Sequence, residues 1–201
     1  MIKNIVFDIG RVLVEFDPHG YLCSFGFSDA TVRSLEQTVF GQHWNAYDRG
    51  DYATVNDLQR ALVSLYPAYR KEIETVLTGD WVRMHVIKED TAALLSSYKA
   101  RGYRVYLLSN LAKESYDYIS AMDFFRRVDG GVFSYQEHAC KPEAKLYQTL
   151  LNRYALKPEE TVFFDDRKEN IEAAERFGIH GIVFNDAASA AKTLEALLCE
   201  R

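Results

Sequence analysis

The chain has 201 residues, 48% of them hydrophobic, and a formal net charge of -5. The apolar share suits one core, or one core with an insert, and the acidic balance with no Lys/Arg block argues against nucleic acid as the main partner. No run approaches the roughly 18 apolar residues that span a bilayer. Cys23, Cys140 and Cys199 have neither metal-site spacing nor a disulfide framework's pattern, and MIKNIVFDIG lacks a signal peptide's apolar segment, so a soluble cytoplasmic protein with no membrane partner is expected.

The first predicted strand is Ile5 to Phe7, ending on Asp8. Residues 18–84 then break the strand rhythm. Helical segments are expected near 30–39, 54–65 and 69–82, with a turn at Gly50 and a capping box from Thr54 to Asp57. Within this insert Trp44, Tyr47, Asp48 and Arg49 cluster before Gly50, with His43 beside them. Such a group suits a sugar face and its hydroxyls, while Trp44 and Tyr47, three apart, equally suit packing of one helix. A helix at about 88–100 ends at Gly102. Four more short apolar runs follow: 105–108 (VYLL), 131–133 (GVF), 161–164 (TVFF) and 181–184 (GIVF). They read as strands buried on both faces of a parallel sheet. Helices are expected at 112–122, 143–153, 168–177 and 187–199, the last with Ala187, Ala191, Leu194 and Leu198 on one face. The alternation implies an α/β fold with a mostly parallel sheet.

Ligands in such folds sit beyond the carboxyl ends of the strands. There the sequence places Asp8, then Ser109 and Asn110 in LLSN, then Asp165 and Asp166 after TVFF, with Lys141 in CKPE before a helix. Each acid alone can also be read as a helix or turn cap, but the set points to one polar site. Pro142 is expected in the first turn of the following helix, fixing Lys141.

DIGRV at 8–12, SN at 109–110, KPE at 141–143 and DDRKEN at 165–170 occur in that order. The chain thereby resembles the haloacid dehalogenase superfamily, in its phosphatase-rich branch with a helical cap. Within that branch, FDIGRVLVEFD, YDRGDYAT, KPEAKLYQTLL and TVFFDDRKENIEAAERFGI resemble the bacterial alpha-D-glucose-1-phosphate phosphatases. The resemblance implies a three-layer α/β/α Rossmann-like core (1–17 and 85–201) with a five-stranded parallel sheet, strand one central. It also implies an inserted helical cap (18–84), hinged at 9–17 and 84–88. It implies Mg-dependent hydrolysis of a small phosphorylated metabolite, a sugar phosphate such as alpha-D-glucose 1-phosphate. Asp8 would be the nucleophile, forming an aspartyl-phosphate. Asp8, the Gly10 carbonyl and Asp166 would hold Mg2+, with Asp165 and Asn170 behind them orienting Asp166 or bound water. Lys141, Ser109, Asn110 and the Ile9 amide would hold the phosphoryl oxygens.

Gly10 departs from the superfamily's usual pattern, in which an Asp two residues after the nucleophile protonates the leaving alcohol. Glu15 and Asp17 are the next acids. General acid catalysis is worth roughly 10² to 10⁴ in rate, so its loss favours an acidic leaving group such as the anomeric oxygen of a sugar 1-phosphate. Two other readings follow. One is a catalytically silent phosphate-binding or scaffold protein. The other is a metal-independent 2-haloacid dehalogenase, which also lacks that Asp but which the paired acids at 165–166 oppose.

Overall fold

The computed structural model describes residues 1–199. Five strands form the sheet: β1 (Asn4–Phe7), β2 (Arg104–Ser109), β3 (Gly130–Phe133), β4 (Thr161–Asp165) and β5 (His180–Val183). The helices are α1 (Pro18–Cys23), α2 (Asp29–Thr38), α3 (Gln42–Arg49), α4 (Val55–Leu65), α5 (Arg70–Val76), α6 (Glu89–Ala100), α7 (Lys113–Ile119), α8 (Ser134–Glu137), α9 (Ala144–Arg153), α10 (Lys168–Glu175) and α11 (Ala187–Cys199). All four strand pairings are parallel, in the order β3-β2-β1-β4-β5 with β1 central, as expected.

Side chains of a strand alternate between faces, and the two faces of this sheet build two cores. Ile5, Phe7, Leu107 and Phe164 pack with Leu95, Ile119 and Leu194 from α6, α7 and α11. Val6, Leu108 and Phe163 pack with Leu146, Leu150 and Ala174 from α9 and α10. That alternation makes three layers and explains why the strands read as unbroken apolar runs.

The segment between β1 and α6 has its own apolar cluster, including Leu22, Leu35, Trp44, Tyr47, Leu58, Leu62, Ile73 and Trp81. The capping box of α4 is present, Thr54 accepting from the Asp57 amide and Asp57 from the Thr54 amide. The helix expected at 69–82 is instead two pieces, α5 and a 3-10 segment, Gly79–Met84. Three helices lie outside the expected spans: α1, capped by Asp17, α3 and the one-turn α8. Pro142 also departs from expectation: α9 begins at Ala144, so the proline lies ahead of the helix. The two strands of chain entering and leaving the cap pair with each other, Glu15 N–H donating to Val86 O at 2.7 Å and Lys88 N–H to Leu13 O at 2.9 Å. Among the described residues no helix is long and apolar enough to cross a membrane.

Gly50 ends α3 in the left-handed region, φ 86°. A Cβ there would stand 2.9 Å from the Tyr135 carbonyl oxygen in the core. Left-handed backbone costs an L-residue about 1–2 kcal/mol, and the close contact adds to it. Gly50→Ala should lower the unfolding free energy by about 1–3 kcal/mol, read as a shift of the urea midpoint at unchanged slope.

Candidate active site

The sheet directs three polar side chains to one place. Phe7 pairs with Leu107 on one side and Phe164 on the other, so Asp8, Ser109 and Asp165 leave adjacent strand ends. The Asp8 amide still belongs to the ladder, donating to Phe164 O at 2.9 Å. Lys141 arrives from the loop after α8. Its Nζ stands 2.8 Å from Asp8 Oδ1 and 2.6 Å from Asp165 Oδ2, and all three residues are buried. It also lies 5.4 Å from the centroid of the Phe163 ring.

Asp165 is fully engaged. Oδ1 accepts from the Arg167 amide at 2.8 Å and Asn170 Nδ2 at 2.9 Å, and Oδ2 accepts from Lys141 and from Asn170 at 3.0 Å. Asn170 thus holds Asp165, not Asp166 as one expectation had it. Asn110 brackets the Lys141 peptide, accepting from its N–H at 2.7 Å and donating to its C=O at 3.1 Å. Its side chain positions the lysine while still lining the cavity. The Ile9 N–H, expected on a phosphoryl oxygen, instead donates to Asp8 Oδ1 at 2.7 Å. Ser109 is buried, its hydroxyl donating to the Asn110 carbonyl at 3.4 Å.

Burial pushes the Asp8 carboxyl up to about 7; Lys141 opposes the rise and Asp165 adds to it. Asp166 is raised by burial and then by Asp165. Burial alone would depress Lys141, but the Asp165 and Asp8 carboxylates hold it above the usual lysine range.

Asp8, Asp165 and Asp166 each present an oxygen within 4.8 Å of the others. Asn170 Oδ1 beside them is buried with no hydrogen-bond partner. Three carboxylates against Lys141 and the more distant Arg11 guanidinium still leave excess negative charge, and an all-oxygen donor set of this kind fits a hard divalent cation such as Mg2+.

A cavity of about 300 Å³ opens above this cluster, lined from the core by Asp8, Gly10, Lys141 and Asp166 and from the cap by Phe40, Trp44, Asn45 and Asp48. Helix α3 brings Trp44, Asn45 and Asp48 there. Tyr47 OH bonds Glu114 Oε2, the Ala112 amide donates to Asp48 Oδ1 at 3.1 Å, Ser134 Oγ donates to the Asp48 carbonyl, and Arg49 pairs with Glu143 at 2.9 Å. Trp44 and Tyr47 are both buried in the cap cluster, so the packing reading holds for both, although Trp44 also reaches the cavity. Sequence reasoning missed Arg11, which lines the cavity with its guanidinium 3.9 Å from Asp166, and His85 and Phe16, whose rings stack on each other. Only their nearness to the two links into the cap could have signalled them.

A buried aspartate stands at the tip of a central parallel strand, against a lysine and beneath a helical insert, where open α/β folds bind their ligands. Residues 2–178 match the haloacid dehalogenase-like hydrolases, and the chain belongs to that family. It is 24% identical to a sesquiterpene phosphatase of Aspergillus oryzae, over 98% of this chain and 96% of that one. It is 26% identical to a D-ribitol-5-phosphate phosphatase of Bacteroides thetaiotaomicron, over 89% of each. Among solved structures it is similar to the HAD family enzyme bt-2542 of Bacteroides thetaiotaomicron, in complex with magnesium and inorganic phosphate. That similarity has TM-score 0.70 and 20% identity, covering 94% of this chain and 99% of that one.

Proposed function

We propose that the protein is a Mg-dependent phosphomonoester hydrolase acting through an aspartyl-phosphate on Asp8, with a small sugar phosphate such as alpha-D-glucose 1-phosphate as substrate. The observation that carries this reading is the Asp8 carboxylate, 2.8 Å from Lys141 and beside Asp166, facing a capped cavity of about 300 Å³. The full-length relatives named as phosphatases support it.

Asp8 attacks phosphorus with its free oxygen, and the bond from phosphorus to the alcohol oxygen breaks. Lys141 lowers the charge on the nucleophile and on a phosphoryl oxygen, and Asn110 fixes Lys141 through its own backbone. Asp8, the Gly10 carbonyl and Asp166 would hold Mg2+, with Asp165 and Asn170 stabilising the arrangement from behind. Bound there, the ion offsets the repulsion between a carboxylate and a phosphate dianion. Water then cleaves the aspartyl-phosphate. The cap excludes bulk water, and Trp44 with Asn45 gives a sugar one flat apolar face and one amide.

The aromatic wall of Phe16, Phe40 and Trp44 also suits an apolar alcohol, the second reading that the terpenoid relative suggests. Phosphate release should be measured from a panel of sugar, polyol and prenyl monophosphates, with Mg2+ and with a chelator. Mg-dependent release, highest on sugar phosphates, is expected. Sugar phosphates that bind in calorimetry but release no phosphate would leave a silent binding protein, and equal release with chelator would remove the metal from the reaction.

A further inference from the structure

The loop after β1 carries no proton donor for the departing oxygen. Gly10 stands where a carboxylate would be expected, and the acids that follow it are committed elsewhere. Asp17 caps α1, accepting from the Gly20 amide at 2.9 Å. Glu15 lies outside the cavity, with Lys88 at 3.8 Å. The carboxyl groups that line the cavity are those of Asp8, Asp166 and Asp48. Asp8 is the nucleophile and Asp166 belongs to the acidic cluster. His85 also lines it, but its Nδ1 is tied to Val82 O at 2.9 Å, and burial holds its pKa down, so it stays neutral with Nε2 as an acceptor.

Resting on the phosphatase reading, we propose that Asp48, carried in by the cap, is the general acid and base that the Gly10 loop lacks. Its Oδ1 is anchored by the Ala112 amide, and its second oxygen accepts from no donor among the described residues. The same bond ties α3 of the insert to the core. Its surroundings suit a proton carrier: burial lifts its pKa to about 7, the Ala112 amide opposes the rise, and Asp8 and Lys141 both act on it electrostatically. Tyr47, Arg49, Cys140 and Glu143 are further ionisable groups on that side.

In the first step the bond between Asp8 and phosphorus forms and the P–O bond breaks. The Asp48 proton passes to the departing oxygen, releasing the alcohol and leaving Asp48 ionised. In the second step Asp48 takes a proton from water as that water attacks phosphorus. Phosphate leaves, Asp8 is restored and Asp48 is protonated again. The donor is complete only when the cap is closed, so proton transfer and water exclusion occur in the same state. With Asp48 in place, the restriction to acidic leaving oxygens expected from Gly10 is lifted.

The test compares wild type and Asp48→Asn with Mg2+ on two esters that lack hydroxyl groups, n-butyl phosphate and p-nitrophenyl phosphate. Asn keeps an oxygen for the Ala112 amide, so cap docking survives. For n-butyl phosphate, kcat/KM should fall by roughly 10² to 10⁴. For p-nitrophenyl phosphate, whose phenolate leaves without a proton, it should stay within about tenfold. The variant should also release one nitrophenolate per enzyme in a burst, because the second step has lost its base. No fall on n-butyl phosphate, an equal fall on both esters, or a p-nitrophenyl phosphate reaction without a burst overturns the assignment. A wild-type protein that releases phosphate from neither ester overturns the phosphatase reading itself.

Discussion

Asp8→Asn should reduce phosphate release by roughly 10⁵ or more, the scale seen when a nucleophile is removed from an assembled site, while leaving the fold intact. The amide cannot form the acyl-phosphate, and nothing else in the cavity replaces it: Asp166 lies off the strand tip and Asp48 is across the cavity on α3. The fold should tolerate the change because Asp8 strains it. Burial lifts its pKa from 3.8 to about 7. A carboxyl whose pKa rises on folding lowers stability at pH above that pKa, since the unfolded chain ionises it more easily. A neutral amide of the same shape escapes that cost, and Lys141 keeps Asp165 as a partner at 2.6 Å. The variant should therefore melt no lower than wild type at pH 8. Wild type should also form a beryllofluoride adduct, visible by fluorine NMR, that the variant lacks. Turnover within a hundredfold of wild type in a clean preparation would remove Asp8 from the reaction.

The strand tips were legible in the sequence because buried parallel strands leave little room for polar residues. Val6 and Phe7 are fully buried, so the acid that follows them stands out, and the same holds for Asp165 after Phe164. The direction of side chains within the site was not legible. Asp165 ends β4 pointing inward, and Asn170, in the first turn of α10, meets that acid and not its half-buried neighbour. One residue of phase decides this, and spacing alone does not reveal it. Helix α3 was hidden for another reason. It is eight residues long, and its Trp44 and Tyr47, three apart, suit helix packing and a sugar site alike, so spacing does not decide between them. What holds it against the core is contact with Ala112, Ser134 and Glu143, far away in the chain. The cavity's proton donor therefore looked absent near Gly10, because the carboxyl that faces the site comes from the insert.

Lys141→Met should damage stability and chemistry together, and a second substitution should separate them. The ammonium lies between two buried carboxylates, 2.8 Å from Asp8 and 2.6 Å from Asp165. Removing one partner from a buried ion pair costs about 3–5 kcal/mol, because the remaining charge is left without compensation. Here two charges are left, with Asp166 close by. Mg2+ should recover part of the loss, and the melting temperature of the variant should respond to added Mg2+ more than that of wild type. Turnover should fall by roughly 10² to 10³, the usual effect of removing one group that stabilises developing charge. Adding Asp165→Asn to Lys141→Met removes one of the two uncompensated charges and keeps an oxygen for the Asn170 and Arg167 donors. The double variant should regain much of the stability, and the coupling between the two positions should be measurable in a double-mutant cycle. Turnover should stay low, because no ammonium has returned to the phosphoryl group. A single variant that melts like wild type would mean the carboxylates relieve their repulsion without Lys141. A double variant that regains turnover would mean the lysine serves only to hold Asp165 in place.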